Sequence, residues 1–145
     1  MIRKSLLDLN VLIALTVPGH EHHRKAQQCF VSSGREDLGI CPLTEAGFLR
    51  VTTNPAFRPG PYTLDQAIAI LQALKGHPAY RYWEIKESWV TLTAPFATRI
   101  LGHQQVTDAY LLGLAIKEDL VLVTFDAGIR HLAGAEYSKN LLVLG

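Results

Sequence analysis

Four carboxylates in this sequence stand where carboxylates are costly. Asp8 interrupts the apolar run of residues 6–15. A carboxylate taken out of water needs a cation or a wet pocket to offset its desolvation. Glu45 shares a helical stripe with Phe48, Leu49 and Thr52, and Asp108 shares one with Leu111, Leu112, Ala115 and Ile116. Each of these acids falls in a first helical turn, where the helix dipole favours an anion by only about 0.3–1 kcal/mol. Asp126 directly follows the apolar segment Leu122-Val123-Thr124-Phe125. Singly, Glu45 and Asp108 read more simply as helix starts, and Asp126 equally as a cap. Taken together they imply one pocket. Anions packed together repel and take up protons unless a cation joins them. Carboxylate oxygens are hard ligands that select Mg²⁺ or Mn²⁺, and two such ions would balance four charges. Divalent ions so held can activate water and stabilise a leaving oxygen in phosphodiester cleavage.

Polar neighbours fit the same pocket. Asn10 lies two residues past Asp8, Thr124 two before Asp126, and Thr107 immediately before Asp108. Asn10 is suited to a metal-bound water, Thr124 to orienting Asp126, and Thr107 to capping the helix that carries Asp108; each is equally a plain cap. Arg50, Arg58, Arg99 and Arg130 are candidate phosphate contacts, and His103 lies close to Asp108 in the chain. His20, His22 and His23 invite a zinc reading, but helical neighbours diverge by about 100° and no further ligand stands nearby. Tyr80, Tyr82 and Trp83 suit base stacking or, more simply, packing.

The elements that must position these groups alternate between strand and helix. Residues 6–9 read as a buried strand, with Asn10 capping a helix through residue 15 that stops before Pro18-Gly19. A second helix is expected over 21–32 and a strand over 38–41. Thr44 is expected to cap a helix running to Thr53, broken by Asn54-Pro55. Residues 55–61, with three prolines and a glycine, form a loop. Thr63-Leu64-Asp65-Gln66 has capping-box spacing and opens a helix with Ala67, Ile68, Leu71 and Leu74 on one face. A strand is expected over 82–85 and a short helix over 92–101. Stronger patterns mark a helix over 105–118 and a buried strand over 120–125. A short helix over 127–132 and a strand over 141–144 close the chain.

Such alternation predicts a parallel sheet covered by helices on both faces, a three-layer α/β/α sandwich. Ligands bind beyond the carboxyl ends of strands in such folds, where Asp8 and Asp126 fall. The 145 residues suit one domain, residues 1–145. No run approaches the ~20 apolar residues of a membrane span, and no signal-peptide layout is present; a cytoplasmic protein is expected. Cys29 and Cys41 read as reduced thiols. The net charge of +1 hides a division: with the four acids set aside, nine acidic groups face 14 basic ones, a balance compatible with a polyanionic partner.

The ordered set Asp8-Leu9-Asn10, Glu45, Gly102-His103-Gln104-Gln105-Val106-Thr107-Asp108-Ala109 and Thr124-Phe125-Asp126 resembles the PIN-domain ribonucleases, most closely the VapC-type toxins of prokaryotic toxin–antitoxin pairs. Arg50-Val51-Thr52-Thr53-Asn54-Pro55 is similar to the end of that family's early helix. The resemblance spans nearly the whole chain; the stretch 80–92 is least family-like. It implies a PIN-like fold and an Mg²⁺- or Mn²⁺-dependent endoribonuclease that cuts structured RNA, tRNA or rRNA. Asp8, Glu45, Asp108 and Asp126 would be its catalytic and metal-binding acids, with Asn10, Thr107 and Thr124 in support and Arg50, His103 and Arg130 toward RNA. It also implies a homodimer silenced by a cognate antitoxin. Two other readings stand beside it. A phosphoaspartyl phosphatase would want an acid where Asn10 stands, and a receiver a lysine near Thr124-Phe125-Asp126. A non-catalytic PIN-like module binding RNA or protein remains the alternative.

Overall fold

The computed structural model describes residues 3–145. Its short strands are β1 (Ser5–Leu7), β2 (Leu38–Ile40), β3 (Tyr80–Tyr82), β4 (Val121–Thr124) and β5 (Leu141–Val143). Every pairing is parallel. One hydrogen-bonded sheet has the order β1-β4-β5 and the other pairs β2 with β3. Between them run α1 (Leu9–Thr16), α2 (His23–Ser32), α3 (Pro42–Thr52), α4 (Leu64–Lys75), α5 (Trp89–Thr93), α6 (Val106–Lys117) and α7 (Ile129–Ala133).

β1 and β4 are buried on both faces, as parallel strands must be when helices make the crossovers, while the edge strands β3 and β5 are partly exposed. Leu6 and Leu122 face a core built with α5, α6 and α7. Leu7, Val121 and Val123 face a second core built with α1 to α4. The alternation within three or four residues makes the sheet the middle of three layers, the α/β/α sandwich expected.

The two sheets meet where β2 lies alongside β1, and there side chains replace the backbone ladder. The Ser5 N–H donates to Asp37 Oδ2 at 2.7 Å. The Ser5 hydroxyl donates to the Asp37 carbonyl oxygen at 2.9 Å and accepts the Gly39 N–H at 3.3 Å. The Trp83 indole donates to the Ser5 carbonyl oxygen at 3.1 Å. The seam is tight enough that a Cβ at Gly39 would lie 1.8 Å from that oxygen. Trp83 is thus a structural residue of the seam.

Several expected boundaries move. The cap of α1 is Asp8, not Asn10: Asp8 has extended backbone and its Oδ1 accepts the Leu9 N–H at 2.7 Å. Helix α3 begins at Pro42 rather than at Thr44, because proline at the first helical position needs no N–H partner. Cys41 is then the cap, and Thr44 accepts the Cys41 N–H at 3.1 Å from inside the first turn. Thr107 does not cap α6. A 3₁₀ turn over His103–Gln105 leads in, Gln105 occupies the cap position, and Thr107 is exposed within the first turn. The strand expected over 82–85 lies at Tyr80–Tyr82. The helix expected over 92–101 divides into α5 and a 3₁₀ segment over Ala94–Arg99, with Pro95 at the junction. The expected capping box at Thr63 and Gln66 is present. Of the apolar face on α4, Ala67 and Leu71 are buried while Ile68 is 38% exposed.

The seam generates a test far from the acids. Asp37→Ala strips the acceptor from a buried N–H and is expected to lower the unfolding free energy by about 2–3 kcal/mol. Asp37→Asn, which keeps an oxygen there, is expected to cost about half as much. Urea denaturation at neutral pH measures both; a loss below about 0.5 kcal/mol for the alanine variant would show the seam does not depend on Asp37.

Candidate active site

Asp8 leaves the carboxyl end of β1 with its backbone N–H still bonded to the Val123 carbonyl oxygen at 2.9 Å. The pairing therefore extends one residue beyond the strand and fixes the carboxylate beside the end of β4. Asp8 is 7% exposed. Beyond the capping bond to Leu9, its Oδ2 accepts the Thr124 hydroxyl at 2.7 Å. Burial pushes the Asp8 carboxyl up from the ordinary carboxylate range; the bonds from Thr124 and Leu9 oppose that, and repulsion from Asp126 adds to it.

Thr124, the last residue of β4 and fully buried, is the hub of the site. While its hydroxyl donates to Asp8, its oxygen accepts the Asp126 N–H at 3.0 Å and a long 3.5 Å contact from the Asn10 carboxamide. The Asn10 oxygen in turn accepts the Phe125 N–H at 3.3 Å. One hydroxyl thereby ties together the ends of both strands and the first turn of α1. Asp126 is exposed, and its Oδ1 accepts the Gly128 N–H at 2.8 Å, shaping the turn that enters α7.

Asp108 approaches from the first turn of α6 and is half-buried. Its carboxyl is pushed up to about 6 by burial first, then by the charges of Asp8 and Asp126. The fold thus brings three of the four expected acids into mutual repulsion. Among the described residues, no lysine or arginine lies within ion-pair distance of any of the three. Glu45 stands differently: its carboxylate pairs with Lys75 of α4 at 3.5 Å and is close enough to Tyr80 and Tyr82 to raise both phenols, behind the effect of burial.

This donor set suits a hard divalent cation: several carboxylate oxygens, excess negative charge and no protein cation to balance it. As the side chains stand, no three His, Cys, Asp or Glu groups among the described residues are gathered closely enough to hold an ion.

The basic candidates separate. Arg99 is engaged structurally, donating to the Leu132 and Ala133 carbonyl oxygens at the end of α7 and pairing with Glu136 at 2.9 Å. Arg50 at the end of α3, His103 in the 3₁₀ turn and Arg130 on α7 are exposed. His23 Nδ1 is bonded to the Ala14 carbonyl oxygen, and His20 Nδ1 accepts the His22 N–H. Sequence reasoning did not find the Lys75 partner of Glu45. Nothing in the spacing of residues 45 and 75 signals a contact made by packing α3 on α4.

A family model described as "PIN domain" matches residues 5–135. Among curated proteins, the chain is 41% identical over 129 residues to Ribonuclease VapC38 of Mycobacterium tuberculosis, covering 89% of each chain. Among solved structures it is similar to the VapBC2 complex of Rickettsia felis bound to a promoter DNA fragment, with a TM-score of 0.65, 14% identity and coverage of 99% of this chain and 97% of that one. It is also similar to VapC20 of Mycobacterium tuberculosis, a sarcin–ricin loop cleaving toxin, with a TM-score of 0.64, 13% identity and coverage of 91% and 95%.

The raised Asp108 carboxyl fixes the sign of a stability effect. Its proton is held more tightly in the folded chain than in the unfolded one. Folded metal-free protein is therefore expected to lose stability as pH rises from about 4 through about 6. Asp108→Asn removes that penalty. In the presence of EDTA it is expected to raise the thermal midpoint at pH 7.5 and to leave it nearly unchanged at pH 4. Equal shifts at both pH values would show that charge at Asp108 is not the cause.

Proposed function

The chain belongs to the PIN-domain family, in its VapC group, and from that premise we propose that it is the toxin of a type II toxin–antitoxin pair, an Mg²⁺- or Mn²⁺-dependent endoribonuclease. The observation that carries this reading is the crowding of Asp8, Asp108 and Asp126 at the carboxyl ends of β1 and β4 without a protein cation. A fold that spends stability on unbalanced charge is arranged for a cation that arrives with the reaction.

In this reading Asp8, Asp108 and Asp126 would hold the metal, with Glu45, paired here with Lys75, as the fourth acid of the set. Such an ion would supply a nucleophilic water at neutral pH and would stabilise the departing oxygen of a phosphodiester. Thr124 and Asn10 position the acids: the hydroxyl holds Asp8 in one orientation, and the carboxamide pins the backbone entering Asp126. Thr107 stands exposed beside Asp108 in the first turn of α6, where it faces solvent rather than capping the helix. Arg50, His103 and Arg130 contact RNA phosphates around the pocket. We take the substrate to be structured RNA, tRNA or rRNA, since VapC20 is named for cleaving the sarcin–ricin loop. A cognate antitoxin is the expected partner, in line with the VapBC complexes that share the fold. A homodimer and a cytoplasmic location are part of the same reading. No helix of the described residues is long and apolar enough to cross a membrane.

The experiment is cleavage of RNA by the full chain with Mg²⁺ or Mn²⁺, beside EDTA and the Asp8→Ala variant. Asp8→Ala and Asp126→Ala are expected to lose activity beyond the about 10–100-fold that removal of an outer-shell partner costs. Thr124→Val is expected to fall within that range. Cleavage that survives EDTA, or that is equal for wild type and Asp8→Ala, would overturn the proposal and favour a binding module.

A further inference from the structure

The motif Arg50 to Pro55 has no role in the acid site itself, yet it lines a cavity of about 460 Å³ beside that site. The other walls come from Asn10 and Ile13 of α1, His20, and Phe57 and Arg58 in the loop after α3. Asn10 belongs to both places: it lines this cavity, and its carboxamide is bonded to Phe125 and touches Thr124 among the acids.

The polar groups of this cavity have their acceptors occupied and their donors left over. His20 Nδ1 accepts the His22 N–H at 3.1 Å, which places the ring proton of the neutral imidazole on Nε2. The Asn54 oxygen accepts the Ala56 N–H at 2.8 Å, leaving its NH₂. The Asn10 oxygen accepts the Phe125 N–H. Arg58 gives one guanidinium nitrogen to the Pro55 and Phe57 carbonyl oxygens and keeps the rest of its fork. Arg50 and Arg58 have no carboxylate within ion-pair distance among the described residues, whereas Arg3 and Arg99 do. No acid lines the cavity. A concave site with two unpaired guanidinium groups and several spare N–H donors matches the chemistry of a phosphate.

We propose that this cavity is the subsite for an RNA phosphate flanking the scissile one, gripped by Arg50 and Arg58 and assisted by His20 and Asn54. The inference rests on the reading of the chain as an enzyme acting on RNA, and it adds where the strand runs. From the acids, the strand passes over Asn10 toward the end of α3 and the loop after it. The polyanion then meets bound cations at one point and fixed cationic side chains at the next. Asn10 is the positioning residue between the two.

The test is binding of a short fluorescein-labelled single-stranded oligoribonucleotide to the full chain in EDTA, which needs neither metal nor cleavage. Arg50→Ala and Arg58→Ala, made separately, are each expected to weaken binding about tenfold at low salt. Each is also expected to reduce the slope of log affinity against log salt by about 0.7, the loss of one phosphate contact on a single strand. Arg81→Ala serves as a control of equal charge; Arg81 lines a different cavity, at the amino ends of β2 and β3. It is expected to change affinity less than twofold. In cleavage assays Arg58→Ala is expected to raise KM with little change in kcat.

Unchanged RNA affinity in both arginine variants, or an equal loss in Arg81→Ala, would overturn the subsite. The cavity would then suit an acidic segment of a partner protein. Wild type that binds RNA through these arginines but fails to cleave would sink the nuclease reading and overturn the flanking subsite with it, leaving a plain RNA-phosphate contact. All three arginines are exposed, and coincident thermal midpoints confirm that a binding loss is not a folding loss.

Discussion

A carboxylate kept from water must be matched by hydrogen bonds or by charge, and Asp8 receives only part of that match from its own chain. Two donors reach it, the Leu9 N–H and the Thr124 hydroxyl. They do not cancel the cost of burial, since the carboxyl still sits above its ordinary range. A helix cap at the protein surface would carry no such cost. This one lies where β1 ends, next to β4, with two further acids facing it. The strain is electrostatic and local, and the rest of the site is arranged around keeping it in place.

What keeps it in place is the register of two short strands. Ser5, Leu6 and Leu7 face Val121, Leu122 and Val123, and the Asp8 N–H adds one more bond to that ladder. A slip of one residue would turn Leu6 and Leu7 to the wrong cores and carry Asp8 away from Thr124. The apolar contacts that set the register are thus also what aim the carboxylate. At the other end of β1 a different carboxylate, Asp37, closes the seam to β2 through Ser5. Asp37 Oδ2 accepts both the N–H and the hydroxyl of Ser5, whereas Asp8 faces the charges of Asp126 and Asp108. The like charge gathered around Asp8 is what sets it apart from the seam carboxylate.

The parts of this arrangement that sequence reveals are those with a strong period or a costly residue. β4 and α6 stand out because long apolar patterns tolerate few alternatives. Asp8 and Asp108 stand out because their positions penalise charge, and Asp126 because it directly follows an apolar strand. Helix starts are harder to read, because several neighbouring residue types cap equally well. Asp8 and Asn10 are both good caps, and only the backbone pairing of Asp8 to Val123 decides between them. Pro42 prevails over Thr44 because proline at the first helical position sacrifices no bond. Contacts between distant elements leave no local trace. The Glu45–Lys75 pair and the approach of Arg58 and His20 to one cavity arise from how α1, α3 and α4 pack. The central role of Thr124 is half visible: its spacing suggests support for Asp126, but its donation to Asp8 depends on the parallel register.

The near-zero net charge conceals an ordered division. Carboxylates without a cationic partner meet at the strand ends, while two guanidinium groups without a carboxylate partner, Arg50 and Arg58, lie at the close of α3 and in the loop after it. If the two sets faced each other, Arg50 or Arg58 would neutralise the acids and no cation would be needed. Asn10 stands between them as a neutral residue that bonds to the acid side and lines the basic side. An aspartate there would extend the anionic cluster into the cavity and repel a phosphate, and a lysine would neutralise the neighbouring acids. A carboxamide does neither, which is a physical reason for asparagine two residues after Asp8.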